Sequence, residues 1–155
     1  GVEYWQKVLA ACGVDYNREL IAKLINHDIR SWTQLNPAVL QWAAKLKASG
    51  YQLGIISNMV KEILSYMQAN FTWLKGDLFS SQVYSCVWQV AKPEATIYQI
   101  SLGDIGLSAG ECLFIDDTEA NIKAAQKLGF SVFHYRGPAD LAVLKKAIFH
   151  DEDKT

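Results

Sequence analysis

Cysteine is scarce and scattered in this sequence. The 155 residues include three, Cys12, Cys86 and Cys112, an odd number with no Cys-x-x-Cys pair. That pattern argues against a disulfide framework or a cysteine zinc site and points to a reducing, cytoplasmic setting. Charge of one sign is also missing. Sixteen acidic residues against fifteen basic ones leave a net charge of -1, so no long-range field marks a nucleic-acid or membrane-surface binder. No apolar run approaches the ~20 residues of a membrane span, and the first residues lack a signal-peptide pattern. Repeats, low-complexity runs and flexible linkers are not found either. What the absences leave is small-molecule chemistry on one domain of ordinary size, and a hydrophobic fraction of 50% is enough for a real core.

The stretch that organises the chain is LFIDDTEANIKAAQKLG, Leu113 to Gly129. An apolar run without alternation, Leu113 to Ile115, suits a strand covered on both faces, and it ends on the adjacent carboxylates Asp116 and Asp117. Ile122, Ala125 and Leu128 follow at helical spacing, with Asp117 or Thr118 placed to cap the helix and Gly129 placed for a left-handed residue past its end. The acid pair therefore sits at the carboxyl end of a parallel strand, where open α/β sheets bind ligands. The plainer reading is that negative charge favours any helix N-terminus.

The first third reads as helical. Trp5, Val8, Leu9 and Cys12 make one apolar stripe closed by Gly13, and Leu20, Ile21, Leu24 and Ile25 make a second. Ser31 to Leu35 reads as a connection. Asn36-Pro37 starts a third helix, with a capping side chain and then proline at the first helical position, and Gly50 ends it. From Tyr51 the pattern alternates. Leu53 to Ile56 is a short buried strand ending at Ser57-Asn58, and Val60, Ile63, Leu64 and Met67 form a helical stripe. Gln82 to Val87 reads as an outer strand, the segment with Ile97, Ile100 and Leu102 as a helix, Ser131 to His134 as a strand, and Pro138 as the start of a last helix carrying Leu141, Leu144 and Ile148. Alternation of this kind predicts an α/β fold with a parallel sheet and helices on both faces.

Three polar features fall at the carboxyl ends of strands or just beyond. Ser57 and Asn58 have the donors to bind a phosphate, helped by free amides at the next helix start, although both residue types are also common helix caps. Lys92 carries the charge to neutralise a phosphoryl group, although most lysines are merely solvated. Asp116 offers a hard oxygen for magnesium, with Asp117 as a supporting acid.

Taken together, Gly54-Ile55-Ile56-Ser57-Asn58, then Ala91-Lys92-Pro93-Glu94 with Ile97-Tyr98, then Leu113 to Asn121 resemble the second, third and fourth motifs of the haloacid dehalogenase superfamily. The likeness is greatest to the branch with a helical cap between the first and second motifs, which contains many phosphatases. The resemblance implies a Rossmann-like three-layer sandwich over residues 36–155 and a remnant helical cap over residues 1–35. It implies that Ser57 binds the phosphoryl group with Asn58 beside it, that Lys92 steadies nucleophile and phosphate, and that Asp116 holds Mg2+ with Asp117 in support. The substrate implied is a small phosphorylated metabolite. Gln89 stands where glycine is more usual, and Ala95 where proline often follows the lysine.

The front of the pattern is missing. Members of the superfamily begin with a strand carrying Asp-x-Asp, whose first aspartate attacks phosphorus, and no such motif follows an apolar run here. Asp151 and Asp153 have the spacing but no strand to present them. The resemblance therefore implies that the nucleophile strand and part of the cap precede Gly1, and that this chain alone is inactive, because an aspartyl-phosphate needs the attacking carboxylate. That strand would lie between those ending at Ser57 and Asp116. Without it, the expected outcomes are a front segment that is physically present, a dimer that donates structure, or direct pairing of the two neighbours. A nucleophile-less phosphate-binding or dimerisation module and a haloacid dehalogenase are the alternatives. A two-component receiver also combines acids, a hydroxyl and a lysine, but there the acid pair comes first and the lysine last.

Overall fold

The computed structural model describes residues 1–149, so Asp151 and Asp153 lie outside the described residues. Helices α1 (Val2–Ala11), α2 (Arg18–Trp32) and α3 (Pro37–Ala48) open the chain. Strand β1 (Gly54–Ser57), helix α4 (Lys61–Asn70), strand β2 (Ser81–Tyr84), the single turn α5 (Ser85–Trp88) and helix α6 (Ala95–Ile105) follow. Strand β3 (Leu113–Asp116), helix α7 (Glu119–Lys127), strand β4 (Ser131–His134) and helix α8 (Pro138–Phe149) complete it. The start signal acts as the sequence predicts at α3, and Asn17, which the sequence reading did not single out, caps α2. Asn17 Oδ1 accepts the Leu20 amide at 2.9 Å, and Asn36 Oδ1 accepts those of Ala38 and Val39. Helix α2 runs through Ser31, which reads as a connection, because Ser31 and Thr33 turn their hydroxyls back onto the carbonyls of Asp28 and Ile29 and let the helix continue.

The layers are those of an α/β sandwich. One face is built by Val83 of β2, Ile97 and Tyr98 of α6, Phe114 of β3, Ile122 and Ala125 of α7, and Phe130. On the other, Trp42 and Leu46 of α3 pack with Leu144 of α8, Leu53 and Phe133. Helix α2 packs on α1 and on α4, and the Gly1 amino group meets Glu62 of α4 at 2.8 Å.

All pairing is parallel, but the strands form two separate two-stranded sheets. In one, Gly54 pairs with Ser81 and Ser57 with Tyr84; in the other, Leu113 pairs with Ser131 and Asp116 with His134. Strands β1 and β3 do not pair with each other, so among the described residues direct closure of the two neighbours does not occur. Each keeps one edge without a ladder partner.

Two further expectations are corrected. Strand β2 stops at Tyr84 rather than Val87: Ser85 Oγ accepts the Met59 amide at 3.0 Å and its carbonyl accepts that of Gln89 at 2.9 Å, which turns the chain into α5. Gln89 then takes a left-handed conformation, φ 55°, which accounts for glycine being the more comfortable residue there. Strand β3 is covered on one face only. Phe114 and Asp116 are buried, but Leu113 is 40% and Ile115 37% exposed.

This one-sided burial sets an expectation for stability. Phe114→Ala should cost about 3 to 5 kcal/mol, as for a filled aromatic site, whereas Ile115→Thr should cost about 1 kcal/mol or less. Urea unfolding of the purified variants measures both, and equal losses would mean that β3 is enclosed on both sides.

Candidate active site

The polar residues singled out by the sequence converge at the carboxyl ends of β1 and β3. Ser57 closes β1, and Asn58 begins the loop after it. Neither caps α4, whose N-cap is Val60 with no side-chain cap bond. Asn58 instead reaches across 34 residues of sequence to the main chain of Lys92. Its Nδ2 donates to the Lys92 carbonyl at 2.8 Å, and its Oδ1 accepts the Lys92 amide at 2.8 Å.

The Lys92 side chain then crosses to the other sheet. Its Nζ lies 2.6 Å from Asp116 Oδ2, with side-chain exposures of 11% and 5%, and 5.8 Å above the centre of the Phe114 ring. The second oxygen, Asp116 Oδ1, accepts Asn121 Nδ2 at 2.9 Å and the Thr118 amide at 2.8 Å. Burial pushes the Asp116 carboxyl up, but the bonds from Lys92, Asn121 and the Thr118 amide outweigh it and hold the group below the ordinary carboxylate range. Beneath, the hydroxyl of fully buried Tyr98 donates to the Asn121 carbonyl at 3.1 Å, and burial followed by the Asp116 charge pushes this phenol up to about 12.

Neither residue expected to cap α7 does so. Thr118 is the N-cap without a side-chain cap bond, and the start of the helix is organised by Asp116. Asp117 points outward. Its carboxylate takes only a long bond from Thr118 Oγ1, 3.4 Å, while its carbonyl accepts His134 Nε2 at 2.9 Å. For a hard cation the pair offers two kinds of oxygen, one already holding three donors and one facing solvent. Among the described residues no group of three or more His, Cys, Asp or Glu side chains gathers as a metal cage. The fit to magnesium is thus that of an incomplete site, one or two carboxylates with the remaining positions for phosphate oxygens and water. A hollow of about 340 Å³ runs between Pro93, Ala95, Ala120 and Lys127 and takes in none of these site residues.

The family model for haloacid dehalogenase-like hydrolases matches residues 4–134. The chain belongs to that family. Among curated relatives it is 29% identical over 131 residues to a phosphoglycolate phosphatase of Yersinia pseudotuberculosis, covering 80% of this chain and 56% of that protein. It is 27% identical over 143 residues to the bifunctional epoxide hydrolase 2 of Rattus norvegicus, covering 88% of this chain and 25% of that protein. The chain therefore spans well under two thirds of these curated relatives. Among solved structures, a haloacid dehalogenase-family enzyme of Bacteroides thetaiotaomicron superposes with a TM-score of 0.71 at 24% identity, over 92% of this chain and 70% of that one. A variant of that enzyme, solved with magnesium and inorganic phosphate, superposes with a TM-score of 0.66 at 25% identity, over 86% and 69% of the two chains.

Within this haloacid dehalogenase-like fold, Lys92, Asp116 and Asn58 meet directly, and Ser57 and Asp117 adjoin them in sequence. Sequence reasoning gave no role to Asn121 or His134 and read Thr118 only as a helix cap. Asn121 carried a signal in its spacing, since five residues after Asp116 places it on the first turn of α7 and within reach of the carboxylate. His134 carried none, because only the register of β3 with β4 brings it to Asp117.

The depressed Asp116 titration fixes the sign of an acid effect. A carboxyl whose folded value lies below the ordinary 3.8 contributes stability that is present above that value and is lost as pH falls through the depressed one. Unfolding free energy of the wild type should therefore drop more between pH 5 and pH 2 than that of Asp116→Asn/Lys92→Met, which has neither charge. At neutral pH Asp116→Asn alone should cost about 3 to 5 kcal/mol by stranding the buried ammonium. Urea denaturation across that range checks both statements, and identical acid slopes would contradict the first.

Proposed function

We propose that this chain carries the phosphate-binding and metal-binding part of a magnesium-dependent phosphatase acting on a small phosphomonoester in the cytoplasm. The observation that carries the reading is the buried contact of Lys92 Nζ with Asp116 Oδ2 at 2.6 Å, set between the ends of β1 and β3. It puts one cation and one hard anionic ligand at the point where an open α/β sheet receives ligands. The phosphatase relative and the neighbour solved with magnesium and phosphate support the same chemistry. The acid pair favours a phosphatase over a dehalogenase.

In this reading Ser57 donates a hydrogen bond to a phosphoryl oxygen, and the Lys92 ammonium balances the charge that builds on the transferring group. Asp116 fixes the ammonium, while Asp116 and Asp117 hold magnesium, which when bound neutralises phosphate charge and orients the ester. Asp116 is already engaged by Lys92, Asn121 and the Thr118 amide, which leaves Asp117 with more oxygen free for the metal. No residue of this constellation is available to attack phosphorus. The reading thus requires a further carboxylate, presented by a strand between β1 and β3, and residues 1–35 serve as the remainder of a cap. The unpaired edges of β1 and β3 favour this over a self-sufficient phosphate-binding module.

The experiment is a p-nitrophenyl phosphate assay with saturating magnesium, on the chain alone and on the chain fused at its front to an apolar strand bearing Asp-x-Asp. The chain alone should hydrolyse nothing above background, and the fusion should turn over. In the active fusion Lys92→Ala should cost at least ~100-fold in kcat, as for one preorganised electrostatic contact, and Asp116→Asn should lower turnover and raise the magnesium requirement. Metal-dependent hydrolysis by the purified chain itself would overturn the reading.

A further inference from the structure

Asn58 is expected from sequence to stand beside the phosphate, or else to cap a helix; it does not cap α4, and its amide is engaged by the main chain of Lys92. We infer that Asn58 is a positioning residue, which holds the Lys92 main chain so that the ammonium reaches the cleft. The inference rests on the phosphate-site reading above only for its consequence in binding.

A primary amide carries a donor and an acceptor on one planar group, as a peptide does. Asn58 uses them on the two polar groups of a single residue, with Nδ2 on the Lys92 carbonyl and Oδ1 on the Lys92 amide, both at 2.8 Å. The amide orientation is fixed by this pairing, since turning it over would set N–H against N–H and oxygen against oxygen. Among the described residues no other side chain bonds the Lys92 main chain. Ser85, the other residue that ties the loop after β1, bonds the main chain of Met59 and leaves Lys92 untouched.

The clasp matters because of where Lys92 stands. Its loop leaves the left-handed Gln89 and enters α6 at Ala95, so it belongs to no strand and has no ladder to hold it. Its backbone is held from the β1 side by Asn58 and its head from the β3 side by Asp116. A residue fixed at both ends loses little further freedom when an anion arrives, which is how preorganisation raises affinity. One N–H of the Asn58 amide is left over, so a direct bond to phosphate is the competing account, and the two differ in how Asn58 and Lys92 combine.

The test has two arms on the chain as it stands. In the first, amide hydrogen exchange of Lys92 is followed by NMR in the wild type, Asn58→Ala and Asn58→Asp. The Lys92 amide should exchange at least about tenfold faster in Asn58→Ala, the loss of one ordinary hydrogen bond. Asn58→Asp, which keeps the acceptor but sets an oxygen against the Lys92 carbonyl, should exchange at a rate between those of the wild type and Asn58→Ala. Unchanged exchange in Asn58→Ala overturns the inference.

In the second arm, inorganic phosphate with magnesium is titrated into the wild type, Asn58→Ala, Lys92→Ala and the double variant, with the Ser57 and Lys92 amides as reporters in the wild type and Ser57 in the Lys92 variants. A residue that acts through Lys92 should weaken phosphate several-fold when changed alone and should have no further effect once Lys92 is alanine. The same loss in both backgrounds overturns the inference in favour of a direct ligand. If phosphate moves neither reporter in the wild type, the phosphate-site reading fails, and the exchange arm still decides whether Asn58 holds Lys92.

Discussion

The ion pair of Lys92 with Asp116 is the constraint on which the upper end of this molecule depends. Among the described residues no hydrogen-bond ladder joins β1–β2 to β3–β4, so the two halves are held together by the apolar layer of α6 and α7 on one face, by that of α3 and α8 on the other, and by polar contacts at the strand ends. Those contacts form one line, from Asn58 through Lys92 and Asp116 to Asn121 and the hydroxyl of Tyr98. Breaking a buried pair by removing one partner typically costs about 3 to 5 kcal/mol, because a charge is left without compensation. The pair is tolerable here because both oxygens of Asp116 are occupied. Lys92 takes one, and Asn121 and the Thr118 amide take the other.

That arrangement also sets the electrostatics of the cleft. The ammonium and the carboxylate neutralise each other in the absence of ligands, so neither a lone anion nor a lone cation meets an uncompensated opposite charge. In the reading proposed above, a metal phosphate, which supplies both signs at once, is the ligand for this pair. Asp117, outside the pair and facing solvent, keeps its carboxylate nearly free, and His134 steadies its backbone from the neighbouring strand.

The divide between β1 and β3 is the other determining feature. Apolar strand residues normally pair on both edges and meet a layer on both faces, yet Leu113 and Ile115 stand 40% and 37% exposed beside an edge with no ladder. Flat apolar edges recruit further strands. The fold and the family match agree on the haloacid dehalogenase-like architecture.

Local signals in the sequence determined most of the framework. Asn36-Pro37 started α3, Gly129 followed the end of α7 with φ 95°, and the apolar runs placed β1, β3 and β4 within a residue or so. These succeeded because capping, left-handed conformation and burial period depend on neighbours a few residues apart. Ser57, Lys92 and the acid pair were legible for the same reason, as polar residues at the ends of readable strands. Only the tertiary structure decided what they touch. Gln82 to Val87 looked like one strand until Ser85 found Met59, and Thr118 holds the cap position of α7 without a side-chain cap bond while its amide goes to Asp116. Asn58 had the local appearance of a helix cap, and its partner lay 34 residues away. Propensity is a property of the chain's own turn, whereas the pairing of Asn58 with Lys92, the single covered face of β3 and the split sheet are set by which segments the fold brings side by side.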